Sequence, residues 1–186
     1  MKPLETERLV IRNWQERDRD LFHEINSDDT VMEFFAFRRT RQESDAFMDR
    51  LRDGIASRGY GFTALALRDT GEAIGFAGLA DTDEAAVFKP LAVEIGWRLA
   101  PRHWGKGYVT EAGRALLAFG FETLALPEIV SFAVHDNRRS TAVMERLGMT
   151  PLPDYDFDHS RVPDSRPDLK RHVFYVIRRE DWLARG

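Results

Sequence analysis

Between Val93 and Thr123 the hydrophobic period of the chain changes from two to about 3.6 across a six-residue loop, and this switch narrows the possible folds more than any other feature. Val93-Glu-Ile-Gly-Trp-Arg-Leu99 alternates: Val93, Ile95, Trp97 and Leu99 share one face, and Glu94, Gly96 and Arg98 the other. Pro101 ends that strand. Arg102-His-Trp-Gly-Lys-Gly107 forms a glycine-bearing loop, and Tyr108 to Thr123 then carries Ala112, Leu116 and Phe119 at helical spacing. A strand feeding a helix through such a loop is the building unit of an α/β domain.

The same periods recur on either side. Arg8 to Asn13 reads as a strand, and Asp18 to Asn26 and Gln42 to Ser57 as helices, the second with Phe47, Leu51 and Ile55 four residues apart. Gly61 to Leu67 and Ala73 to Ala80 read as a hairpin around Arg68-Asp-Thr-Gly71, where Gly71 supplies the positive φ of a tight turn. Ile129 to Val134, apolar on both faces, suits an interior strand. Asn137 to Leu147 reads as a helix stopped by Gly148, with Met149 to Tyr155 and Val173 to Ile177 as the last strands. Residues 154–171, rich in Asp, Arg and Pro, are long for a connection and read as a functional cover or a partly disordered loop. Without repeats or a break in composition, one α/β domain over residues 1–186 is expected.

The loop has the parts of an anion site. Glycines let successive N–H groups converge, and the helix behind them offers unpaired N–H groups and its positive dipole end. A Walker loop would need Gly at 100 and Ser or Thr at 107, where Ala100 and Gly107 stand; a dinucleotide fingerprint would need Gly or Ala at 110, which is Thr110. From spacing alone, a plain tight turn and an anion site remain equally open. The net charge of −4 argues against nucleic acid or an anionic membrane as partner, yet residues 98–114 carry +3 and residues 137–146 carry +2, leaving −9 elsewhere. No apolar run approaches the roughly 18 residues that cross a bilayer, and the charged N-terminus lacks a signal pattern, so a cytoplasmic protein is expected. The absence of cysteine excludes thiol nucleophiles and cysteine-ligated metals, and no histidine spacing suggests a metal site.

Three segments in order, Glu94-Ile-Gly-Trp-Arg-Leu99, Arg102-x-x-Gly-Lys-Gly-Tyr-x-Thr-Glu-Ala112 and Asn137-Arg-Arg-Ser140-x-x-x-Met-Glu-Arg-Leu-Gly-Met149, resemble the GNAT superfamily of acyl-CoA-dependent N-acyltransferases. The opening Glu5-Thr-Glu-Arg-Leu-Val-Ile-Arg12 is similar to its RimJ/RimL-like branch. The resemblance spans about residues 4–178. It implies a single-domain GNAT fold, a mixed central sheet flanked by helices with a splayed acyl-CoA cleft. It also implies acetyl-CoA as cosubstrate, no metal, an amine acceptor (a protein or peptide N-terminus or a small amine) and a monomer or homodimer. Arg102, Gly105, Lys106, Gly107, Tyr108, Val109 and Thr110 would lie on the pyrophosphate, and Trp97, Arg98 and Leu99 would pair their backbone with the pantetheine arm, with Gly96 easing a bulge at the splay. Asn137 and Ser140 would face the cofactor and its thioester.

Direct attack by a bound amine is then favoured, because no cysteine exists to carry the acetyl group. Glu94 is the leading general base, although it could instead only pair with Arg98 on its face; His135 is the rival. Many GNAT enzymes carry a tyrosine proton donor where Met144 stands, and Met144 cannot donate. Ser140 resembles the serine that serves the RimJ/RimL-like branch, though a capping role competes, with Asn137 also fitting the helix N-cap. Asp156, Asp158 and Asp164 of the polar insert could attract a cationic acceptor. A silent acyl-CoA sensor and an interaction module on the same scaffold remain the alternatives.

Overall fold

A computed structural model describes residues 2–82 and 92–184. In chain order these form β1 (Leu4–Glu5), β2 (Leu9–Arg12), α1 (Arg19–Ser27), α2 (Arg41–Arg58), β3 (Phe62–Leu67), β4 (Ala73–Asp81), β5 (Val93–Leu99), α3 (Tyr108–Ala118), β6 (Glu128–Val134), α4 (Arg138–Arg146), β7 (Thr150–Pro151), β8 (Phe157–Asp158), β9 (Arg171–Arg178) and α5 (Arg179–Leu183). The strands make one sheet in the order β1-β2-β3-β4-β5-β6-β9-β7, with β8 also on β9. β5 and β6 run parallel, and the remaining neighbours antiparallel. That parallel pair follows from the crossover through α3, which returns the chain to the same end of the sheet.

Each face of the sheet is covered by helices whose apolar stripes match its alternation. Leu9, Ile11, Leu65, Ile95 and Leu99 pack with Ala112, Leu116 and Phe121, and with Met144 and Leu147 of α4 and its end. On the other face Phe22 and Ile25 of α1 and Met48 and Ile55 of α2 close over Ala64, Phe76 and Ala100. The α1 layer is tied to the sheet by a buried ion pair, Arg12 Nη1 to Asp18 Oδ2 at 2.6 Å, which also accepts from the Gln15 N–H. α2 starts on a capping box in which the Thr40 hydroxyl and the Glu43 carboxylate each accept from the other residue's N–H.

Three expectations are corrected. The strand expected over Met149 to Tyr155 shrinks to Thr150–Pro151, because Pro151 and Pro153 remove ladder donors and a 3-10 turn follows over Pro153–Tyr155. The helix expected to reach Thr123 is α-helical to Ala118 and widens into a single π turn over Phe119–Thr123. The 154–171 insert pairs β8 with β9 and buries Phe157 and Leu169, so it is built into the fold. Its acids are answered locally: Asp156 accepts from the Phe174 N–H at 2.9 Å, Asp164 pairs with Lys170, and Asp158 lies 3.7 Å from Arg171. They do not form a free acidic surface for a cationic acceptor.

Gly78 of β4 sits so close to Gly61 that a Cβ there would overlap the Gly61 carbonyl, at the register pair Phe62↔Gly78 that starts the central hairpin. Gly78→Ala is expected to lower stability by about 1–3 kcal/mol, as overpacking does. Calorimetry reads this as a fall of several degrees in Tm; an unchanged Tm contradicts the tight approach.

Candidate active site

β5 and β6 pair only at Glu94↔Val130, whereas β5 stays in register with β4 from Val93 to Leu99. Just past that pair the Ser131 hydroxyl donates to the Ile95 carbonyl at 2.9 Å, and from there the parallel strands part into a wedge. The Trp104 indole N–H takes the Leu99 carbonyl at 2.8 Å. Since main-chain direction alternates along a strand, Trp97, midway between these two carbonyls, turns its own N–H and C=O to the open edge. Arg98 is out of phase with that edge and faces Phe76 of β4. Register runs unbroken through Gly96, so no bulge lies there. What Gly96 permits is the approach of the Phe62 ring, 3.0 Å from where a Cβ would stand.

At the mouth of the wedge a 3-10 turn over Pro101–His103 leads into Gly105 (φ 72°) and Gly107 (φ 80°), left-handed conformations that a side chain would strain. Gly107 is the N-cap of α3, and no side chain caps it. The first helical bond is Glu111 N–H to the Gly107 carbonyl at 3.0 Å, so the N–H groups of Tyr108, Val109 and Thr110 precede the helical ladder at its positive end. Lys106 is exposed beside them. The Arg102 side chain, by contrast, pairs with Glu24 of α1. Burial, then Arg102 and Lys106, push the His103 imidazole below its ordinary value, and both its ring nitrogens are buried without partners. His103 is therefore neutral at pH 7, leaving Lys106 as the loop's free cation.

The loop is held from across the sequence. The Glu111 carboxylate accepts from the Arg8 N–H at 2.8 Å, the Arg8 Nε at 2.7 Å and the Thr6 hydroxyl at 2.5 Å. Arg8 also donates to the Lys106 carbonyl at 3.0 Å and lies 4.7 Å from the centre of the Tyr108 ring. Nothing in local periodicity links residues about a hundred positions apart, and sequence reasoning passed over this clamp. Its one signal was the charged opening around Glu5 to Arg12.

The other wall of the wedge leads from β6 into α4. Asn137 is the N-cap of α4, its side-chain oxygen accepting from the Ser140 N–H at 3.1 Å. Ser140 is thus the third residue of the helix and its hydroxyl is not the cap. Met144 is buried in the core, where a tyrosine hydroxyl would have to be placed afresh. His135, at the exit of β6, is exposed and 3.1 Å from Asp136. Glu94, partly buried, stands at the apex where the strands part. Trp104 and Arg139 bridge the two walls, guanidinium 4.7 Å from ring centre. The glycine loop and the start of α4 therefore flank the carboxyl ends of the parallel pair β5–β6, where open α/β sheets place their ligands.

Comparison with known proteins places this geometry among relatives. The family described as "Acetyltransferase (GNAT) domain" matches residues 8–150. The FsC-acetyl coenzyme A-N(2)-transacetylase of Aspergillus fumigatus is 29% identical over 97% of this chain and 77% of its own. The putative ribosomal N-acetyltransferase YdaF of Bacillus subtilis is 31% identical over 80% of this chain and 74% of its own. A solved GNAT-family acetyltransferase from Bacillus anthracis superposes with a TM-score of 0.79 at 25% identity, covering 96% of this chain and 99% of that one.

Although burial alone would raise the Glu111 pKa, the bonds from Thr6 and Arg8 outweigh it and hold the carboxyl below its ordinary value. A lowered folded-state pKa contributes stability above the unfolded value of about 4.3, lost as pH falls through the folded one. Glu111→Gln is therefore expected to lower Tm at pH 7, with the deficit narrowing below about pH 4; a deficit independent of pH contradicts the ionised clamp.

Proposed function

Because the chain belongs to the GNAT acetyltransferase family, we propose that it moves the acetyl group of acetyl-CoA directly to a primary amine held beside it in a ternary complex. The observation that carries this reading is the wedge opening at Glu94↔Val130 and running into the uncapped start of α3. An extended arm fits the free edge of Trp97, and a pyrophosphate fits the amides of Gly105 to Thr110 with Lys106. Acetyl-CoA supplies an activated acyl carbon and a readily expelled thiolate. The chain's task is to hold the amine against that carbon and to move two protons.

The ammonium is the harder proton. At pH 7 an α-amino group of pKa ~7.8 costs about 1 kcal/mol to deprotonate, and a lysine amine of pKa ~10.4 about 4.6 kcal/mol. Glu94, at the apex and partly buried, takes that proton directly or through water. Ser140, its hydroxyl left free by the Asn137 cap, donates to the sulfur as negative charge develops on it. Asn137 orients Ser140 through the cap. His135 lies exposed against Asp136, which suits a base less well.

An α-amine acceptor, as in the RimJ/RimL-like branch, needs the least from Glu94. The opening Glu5 to Arg12 segment supports that branch, and so does the name of the YdaF relative; the transacetylase relative's name points equally to a small amine. A cytoplasmic location follows from the same reading, and among the described residues no helix is long and apolar enough to cross a membrane.

Acetyl-CoA at millimolar concentration is expected to raise Tm, and coenzyme A release should follow with a suitable amine. Stabilisation without turnover across an amine panel would instead favour the silent sensor. Glu94→Gln is expected to lower kcat about a hundredfold with little change in acetyl-CoA affinity. A pH–rate profile unchanged by that substitution removes Glu94 as the base.

A further inference from the structure

Two arginines are drawn into the aromatic layer between β5 and the α1–α2 connection. Arg98 projects from the face of β5 that carries Glu94 and Gly96, and its Nη1 donates to Asn26 Oδ1 at 2.6 Å. Its guanidinium carbon lies 4.3 Å from the centre of the Phe35 ring and 5.3 Å from that of Phe76. Arg39 stands over Phe37 and Phe47 at 4.8 and 4.6 Å. The Nε of each is buried without a hydrogen-bond partner. Among the described residues neither forms an ion pair, whereas Arg8, Arg12, Arg19 and Arg102 each do. Burial, then the neighbouring Arg39, lower the Arg98 pKa to about 9, the signature of a cation without its anion.

Removing a charge from water without an opposing charge is costly, and ring faces return only part of that cost. The fold nevertheless fixes Arg98 in place. Asn26, itself fully buried, donates its amide to the Phe22 carbonyl and keeps its oxygen for Arg98, while its own carbonyl accepts from the Arg39 N–H. The connection that supplies Phe35 also reaches α4, through Glu33 to Arg139 at 2.5 Å, and Arg139 covers Trp104, which holds the Leu99 carbonyl. Arg98 is thus the neighbour of the wedge's edge residues Trp97 and Leu99, with its side chain on the α1–α2 side. It shares a sheet face with Glu94 about 13 Å along the strand.

We infer that Arg98, held by Asn26 and backed by Arg39, is an anion subsite of the acceptor pocket, so that the acceptor is an amine that also carries a carboxylate. The inference rests on the acetyl-transfer reading for where the acceptor lies, and it narrows the acceptor to a class. A planar guanidinium pairs with a carboxylate through parallel N–H bonds, whereas a polyamine would add positive charge to a site that already has too much.

The test uses the whole chain and a panel of amino acids, each paired with its carboxamide, read in two ways. Thermal shift and calorimetry report binding with and without coenzyme A, and coenzyme A release from acetyl-CoA reports transfer. Binding and kcat/KM are expected to favour acids over their amides by tenfold or more. Arg98→Met should abolish that preference, and Arg98→Lys, which keeps charge without the fork, should retain part of it. A cooperative unfolding transition in both variants shows that they fold, and Arg39→Gln, which keeps the main-chain bond to the Asn26 carbonyl, should weaken the preference in the same direction. Acids and amides binding alike, no binding by any acid, or equal loss for both in Arg98→Met overturns the subsite. Selective acid binding without coenzyme A release upholds the subsite and removes acetyl transfer instead.

Discussion

The parting of β5 from β6 beyond Glu94↔Val130 is the constraint on which the rest of the molecule depends. A parallel pair left half-open exposes main-chain groups that a closed sheet would have satisfied, and such groups are tolerated only where something else meets them. The chain closes two of these positions itself, with the Ser131 hydroxyl on Ile95 and the Trp104 indole on Leu99. It leaves Trp97 between them. The core below stays intact because β5 keeps its full register with β4 through Gly96, where the missing side chain admits the Phe62 ring. The opening is therefore carried on one side by a complete antiparallel sheet.

Charge is organised around that opening. The glycine loop presents helix N–H groups and Lys106 at the mouth, while Arg102 is held back by Glu24 and His103 is kept neutral by burial and its cationic neighbours. The mouth is stiffened from the N-terminal strand, where Thr6 and Arg8 converge on Glu111. On the far face the pattern inverts: Arg98 and Arg39 lie among phenylalanines and, among the described residues, neither forms an ion pair. A net charge of −4 conceals both features, because the acids that set it are largely paired elsewhere.

Much of the fold was legible in the sequence, since period and punctuation act locally. Val93 to Leu99 forms the strand its alternation predicts, the hairpin turns around Arg68 to Gly71, and α4 begins at Asn137 and stops before Gly148. Errors fell where a local signal met a competing local rule. Pro151 and Pro153 cut short a strand whose apolar residues suggested more, and the 154–171 insert looked like a loop because β8 is only two residues long. Phe157 and Leu169 showed their importance only once they were seen buried.

The sequence by itself determined the strand–loop–helix unit, the glycine conformations in it and the family to which they belong. These depend on residues within a few positions of one another, where backbone sterics and spacing decide the outcome. Only the tertiary structure decided which face of β5 looks into the wedge, that Glu111 belongs to Arg8, and that Arg98 rests on Asn26 and Phe35 rather than on Glu94's part of the strand. Those contacts join segments up to about a hundred residues apart, and packing of whole layers, not any local pattern, brings them together.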